Sequence, residues 1–291
     1  MIKLFIILIF SLIAAVGISS GKPQQKDEKI HRFIFTLGSM QTPSADDAFA
    51  ICKILVEQIT KKNNLNEKTE VLISSSTEDL LIKSKNGFDL MIISTPEYLA
   101  LRKALPLQPT FVASSLGHFG VKYLLVVNKN DNINEIGQLK NSDIRILGGK
   151  NQKTPNIVID FLLRQAKLPP KELFFKSITT DPLTNNVVLP VFFKKVKAAL
   201  VSETALNFIS ELNPQLKRDL KIIYSSPYLV ATIACTNKNV EDPELQKVAY
   251  DILLNLHTEP FGRQLLDLFR VEKLIPYKEE YLTEYLKLLE K

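Results

Sequence analysis

Between residues 33 and 101 short apolar runs alternate with stretches of helical period, and that rhythm admits few folds. Residues 33–37 (FIFTL), 71–74 and 88–93 (FDLMII) are apolar almost throughout, so both faces of each run must be buried. After the first of them, Ser44 precedes a stretch reaching residue 60. In it Phe49, Ile51, Cys52, Leu55, Val56 and Ile59 share one face, and Asp46 and Asp47 sit in the first turn, where acids suit the helix dipole. Residues 77–85 repeat the pattern on a smaller scale and Asn86-Gly87 supplies a turn. Ser94-Thr95-Pro96 then opens a helix through Tyr98 and Leu101. Strand, helix, strand, helix, with continuous apolar strands, predicts a parallel sheet covered by helices on both faces.

The pattern breaks at residues 111–128 (FVASSLGHFGVKYLLVVN), an extended stretch reached without a helix, which predicts a segment crossing to a second lobe. A second α/β set follows: a short helix at 132–139, a strand from Ile144, a turn at Gly148-Gly149 and a helix opening at Thr154-Pro155. Then come a strand at 173–176 that ends in a loop at 178–181, a helix over 184–194, a strand at 198–201, a helix over 205–212 and a strand at 220–224. Residues 228–236 (YLVATIACT) read as a second crossing strand, and only helices are expected beyond it, at 241–256, 259–269 and 279–289. The expected fold is α/β with two lobes, each a mainly parallel sheet flanked by helices, joined by two extended crossovers. Residues 31–118 begin the first lobe, 119–226 form the second, and 227–291 return to the first and add the C-terminal helices.

Residues 1–20 read as a targeting segment: Lys3, then an uncharged apolar run over 4–18, then small residues. The run is short for a membrane span, and both a cleaved signal peptide and an uncleaved anchor fit it. Residues 21–30, polar and aperiodic, read as a disordered leader, so the folded part is expected to be exported to the periplasm. The net charge of +6 comes from scattered lysines with no clustered basic face, which argues against nucleic-acid binding. His31, His118 and His257 stand apart with no companion at ligand spacing, so no metal site is expected. Cys52 and Cys235 could pair in an oxidising compartment or stay as buried thiols; their spacing decides neither. A nucleophile needs a base within reach, and these cysteines and histidines are dispersed, so a non-enzymatic protein without a cofactor is expected.

Ligands of open parallel sheets sit beyond the carboxyl ends of the strands, and there the chain places oxygens. Ser39, Ser75 and the pair Ser94-Thr95 follow the first three strands; Asp181 and Glu203 follow strands of the second set. Lys153 and Thr154 stand beside the open end of the helix after Gly148-Gly149, where unpaired N–H groups and a partial positive charge suit an anion. Tyr98 could wall the cleft and donate its hydroxyl.

In this order of segments the chain resembles the phosphate/phosphite/phosphonate-binding proteins of ABC importers, periplasmic receptors with the type 2 periplasmic-binding fold. FDLMIISTPEYLAL resembles the family's strand followed by a Pro-x-x-Tyr-like helix start. YLLVVNKNDNINEIGQLKNSDIRILGG resembles its strand, helix and Gly unit, and KKVKAALVSETAL its strand ending in acids. The resemblance implies a soluble receptor, acting as a monomer, that closes two lobes on a small oxyanion and hands it to a membrane permease. A membrane sensor kinase is the alternative partner. It also implies ligand contacts at the second-lobe helix start, where the family's hydroxyl-rich run is replaced here by Gln152-Lys153-Thr154-Pro155-Asn156. Lys153, Thr154 and Asn156 are the candidates that remain there. The family's next acidic positions read Thr184-Asn185 and Ser202-Glu203. These departures leave two readings open, an anion held by Lys153 and hydroxyls, or a different small ligand.

Overall fold

The computed structural model describes residues 30–41, 44–62, 68–115, 117–239, 243–268 and 271–290; the expected targeting segment and nearly all of the expected leader lie outside them. The first α/β set consists of β1 (Ile30–Thr36), α1 (Ala45–Lys62), β2 (Lys68–Ser74), α2 (Thr77–Lys83), β3 (Leu90–Ser94) and α3 (Thr95–Leu101). After β4 (Leu107–Ser115) and the short β5 (His118–Phe119), the chain crosses into β6 (Tyr123–Asn128), β7 (Asp143–Leu147) and α4 (Thr154–Gln165). Next come α5 (Lys171–Phe174), β8 (Ser177–Asp181), α6 (Thr184–Phe192), β9 (Ala198–Ser202), α7 (Glu203–Leu212), α8 (Gln215–Asp219) and β10 (Leu220–Ser225). The return runs through β11 (Thr232–Asn237), α9 (Pro243–Asn255), α10 (Pro260–Leu268), β12 (Lys273–Pro276) and α11 (Thr283–Leu289). No helix among the described residues is long and apolar enough to cross a membrane.

The elements form two mixed sheets, in the orders β12-β4-β11-β3-β1-β2 (with β5 on β4) and β10-β6-β9-β7-β8. The expected parallel unit, β2-β1-β3 in one and β8-β7-β9 in the other, forms one end of each sheet, and antiparallel strands make up the rest, so neither sheet is mainly parallel as expected. Alternation along β1 explains the packing. Ile34 faces a core shared with Leu80, Met91, Ile93 and Cys235, while Phe35 faces Met40, Cys52 and Val56 of the opposite layer. Cys52 and Cys235 are therefore free thiols on opposite faces of one sheet. Burial pushes each up to about 12, which leaves them inert.

Several local expectations give way. The run at 173–176 is not a strand: Pro170 begins the single turn α5, Phe174 and Phe175 are buried, and the strand is Ser177–Asp181. Being an edge strand, β8 is mostly exposed and lacks an apolar signature. The stretch from residue 111 to 128 is not one crossing segment, because β4 ends at Ser115 within the first sheet and β6 begins at Tyr123 in the second. Likewise the second crossing precedes β11, which starts only at Thr232. The C-terminal part is not all helix either, since β12 pairs with β4 at the sheet edge. The region expected as a helix at 132–139 holds only a short 3-10 turn, Ile136–Leu139. In addition α11 leaves the first sheet: Tyr285 and Leu288 are buried in the core beneath the second, against α4.

Where the chain crosses, the two segments pair with each other. Val121 and Leu229 exchange both backbone hydrogen bonds, at 2.8 and 2.9 Å, and Ser226 N–H donates to the Tyr123 carbonyl. Gly120, at φ +75°, permits this approach; a Cβ there would lie 2.3 Å from the Leu229 carbonyl oxygen.

Candidate functional site

The carboxyl ends of the parallel strands of both sheets face one another across a cavity of about 210 Å³. Leu37, Met40, Ser44 and Ala45 line it from the first sheet, Gly149, Lys150 and Asn151 from the second. The second-sheet wall is a rigid loop. Gly148 N–H donates to the Asp181 carbonyl, Gln152 N–H donates to the Gly149 carbonyl, and Gly149 N–H donates to Gln152 Oε1 at 2.8 Å. These bonds hold Lys150 and Asn151 directly at the end of β7. On the other wall, Ser44 caps α1, accepting from Asp47 N–H at 3.1 Å and donating to Asp47 Oδ2 at 2.7 Å.

Direct bonds span the opening. Asn151 Nδ2 donates to the Ser75 carbonyl at 2.7 Å, and Gln41 Nε2 donates to the Pro182 carbonyl at 2.7 Å. Lys153 is exposed and faces Glu78, whose carboxyl is held below its usual range. Hydrogen bonds from its own backbone N–H and from Ser76 dominate that shift, and the Lys153 charge adds to it.

The strand-end oxygens are mostly engaged within the protein. Ser39 donates to the Thr36 carbonyl at 2.7 Å. Ser75 is exposed and contributes its backbone: N–H to Asp79, carbonyl to Asn151. Ser94 is buried at the head of α3, where Glu97 folds back upon it. One Glu97 oxygen accepts from Ser94 Oγ at 2.5 Å, Thr36 Oγ1 at 2.7 Å and Ser94 N–H at 3.2 Å. Glu97 is 5% exposed and presses on Gly38, where a Cβ would lie 2.8 Å from that oxygen. Thr95 ties α3 to the returning crossover through Val230 and Ala231. Tyr98 lies in the core with Leu101 and Leu107, and burial raises the pKa of its phenol.

In the second lobe the Thr154 hydroxyl is buried and bonded to Tyr285 OH at 2.9 Å, and Asn156 is half-buried in the first turn of α4. Asp181 braces the turn that leads into α6, accepting from Leu183 N–H at 2.8 Å and Asn186 Nδ2 at 3.0 Å. Glu203 accepts from Tyr228 OH at 2.9 Å and lies 3.5 Å from Lys122 Nζ, so it fastens both crossover segments to the second sheet. Thr184, by contrast, has a buried hydroxyl without a protein partner. The cavity residues that strand-end hydroxyls did not reveal are Lys150, Asn151, Met40 and Ser44. Their signal was position: Lys150 and Asn151 are the first side chains after the Gly148-Gly149 turn. No group of three or more His, Cys, Asp or Glu side chains suited to a metal occurs among the described residues.

Comparison with known proteins agrees with this architecture. No curated protein sequence matches the chain. Among solved structures, the chain is similar to a binding protein component of an ABC phosphonate transporter from Pseudomonas aeruginosa, with TM-score 0.64 and 14% identity over 90% of this chain and 86% of that one. PhnD1 from Prochlorococcus marinus in complex with methylphosphonate gives TM-score 0.64 and 17% identity over 90% and 97%. The periplasmic aliphatic sulphonate binding protein SsuA from Escherichia coli gives 0.51 and 15% over 89% and 85%. At these identities the structures establish the shared fold. The sequence profile described as ABC transporter, phosphonate, periplasmic substrate-binding protein matches residues 42–282, most of the chain. The protein therefore belongs to the phosphonate ABC transporter periplasmic substrate-binding protein family, a family of solute receptors rather than enzymes.

Proposed function

We propose that this protein is an exported receptor that closes its two lobes on a small phosphorus oxyanion and delivers it to the membrane permease of an ABC importer. The observation that carries the reading is the cavity between the strand ends of both sheets, in which Lys150 is the one charged residue among the described lining residues. A cavity of about 210 Å³ has the volume of roughly seven waters, enough for a phosphonate. Residues 1–20 supply the export signal, and the receptor acts as a monomer. The paired crossover at Val121 and Leu229 serves as the hinge between residues 31–118 and 227–282 on one side and residues 119–226 with α11 on the other. Asn151 and Gln41 close over the ligand by the backbone bonds already described.

Thermal unfolding with methylphosphonate, phosphite, phosphate and methanesulfonate tests the reading. A ligand at ~100 times its Kd stabilises the native state by about 2.7 kcal/mol, which raises the midpoint by several degrees. At least one phosphorus oxyanion is expected to do so. Silence across the whole panel would contradict the proposal.

A further inference from the structure

We infer that the ligand is an oxyanion that carries no ammonium group and turns an uncharged, short substituent toward Leu37, Met40 and Ala45. This deepens the oxyanion-receptor reading and rests on it. Among the described residues the lining brings one full charge, and it is positive; the described wall opposite Lys150 is apolar apart from Ser44. An ammonium held there would lose water and find a lysine in place of an acid, an arrangement that disfavours binding.

The nearby acids do not repair this deficit, because none of them is among the described residues that line the cavity, and their oxygens already serve other groups or face solvent. Asp181 is bonded to Leu183 N–H and Asn186, Glu203 to Tyr228 and Lys122, and Glu97 to Thr36 and Ser94. Asp79 pairs with Lys83 at 2.8 Å and accepts from Ser75 N–H. Asp47 accepts from the Ser44 hydroxyl, and Glu78 faces Lys153. Asp46 is exposed in the first turn of α1 and is not among the cavity residues. At the head of α6, next to the engaged Asp181, the unpartnered group is the neutral hydroxyl of Thr184.

Calorimetric titration of the full chain with ethylphosphonate and 2-aminoethylphosphonate isolates the amine, since the two differ by that group alone. Ethylphosphonate is expected to bind more tightly by about tenfold or more. Equal or tighter binding of 2-aminoethylphosphonate would overturn the inference while leaving the receptor reading intact. If neither ligand binds, and methylphosphonate and phosphite also fail, the receptor reading falls and the inference with it. Lys150→Glu supplies a second arm on an exposed side chain, with its unfolding midpoint as the check on folding. Its ethylphosphonate-to-aminoethylphosphonate preference should shrink or reverse; an unchanged ratio would show that Lys150 does not set the charge selectivity.

Discussion

Replacing Glu97 by alanine is expected to destabilise the protein by about 3 kcal/mol or more. The side chain is almost fully buried, and one of its oxygens gathers the hydroxyls of Thr36 and Ser94 together with the Ser94 N–H. Removing it strands the hydroxyls of Thr36 and Ser94 and leaves the Ser94 N–H with a long 3.4 Å contact to Thr36 Oγ1, at the junction of β1, β3 and α3, where each unsatisfied group costs ~1–3 kcal/mol unless water enters. It also leaves a hole against Gly38. Glu97→Gln keeps the volume and one acceptor oxygen and loses the charge assistance, so about half the penalty should return. Chemical denaturation of both variants distinguishes the cases. A Glu97→Ala midpoint equal to that of the parent would mean the carboxyl is not holding this junction.

Gly120→Ala should be costly for a different reason, and Gly117→Ala is its control. Both glycines have positive φ, +75° and +73°, so alanine at either incurs a left-handed penalty of ~1–2 kcal/mol. Nothing lies within 4 Å of a Cβ at Gly117, whereas at Gly120 it would meet the Leu229 carbonyl oxygen at 2.3 Å and its carbon at 2.5 Å. Both of those atoms are backbone in the facing crossover, so the pairing of Val121 with Leu229 must separate. We expect Gly117→Ala to lower the thermal midpoint by a few degrees, and Gly120→Ala to lose at least twice as much. Equal losses would show that the crossovers do not approach so closely in solution.

The parallel unit of each sheet was legible because apolar short strands and capped helices advertise themselves locally. Antiparallel β4 was not. It follows α3 without another helix, and Pro109 lies inside it, where proline argues against a strand. The structure accommodates Pro109 beside a register shift between Ala234 and Cys235 of β11. Four-residue β12 is too short to show any period. The site was legible as an edge and not as a list of side chains. Strand-end oxygens are visible in the sequence, but the groups that consume them are distant: Tyr285 meets Thr154 across 131 residues, and Tyr228 meets Glu203 across 25. Serine and threonine at strand ends look the same whether they await a ligand or cap a helix, and here Ser94 and Thr95 do structural work. Lys150 and Asn151 gave only a positional signal, as the first side chains beyond β7.

The central claim is that the ligand sits between the two sheets and is contacted from both. Amide hydrogen exchange of the protein, measured by mass spectrometry with and without saturating methylphosphonate, addresses it most directly. Closure on the ligand predicts slower exchange in residues 37–45 and in residues 148–152 together, with the crossovers little changed. Saturated binding without protection in one of those two segments, or with protection confined to another part of the molecule, would contradict it.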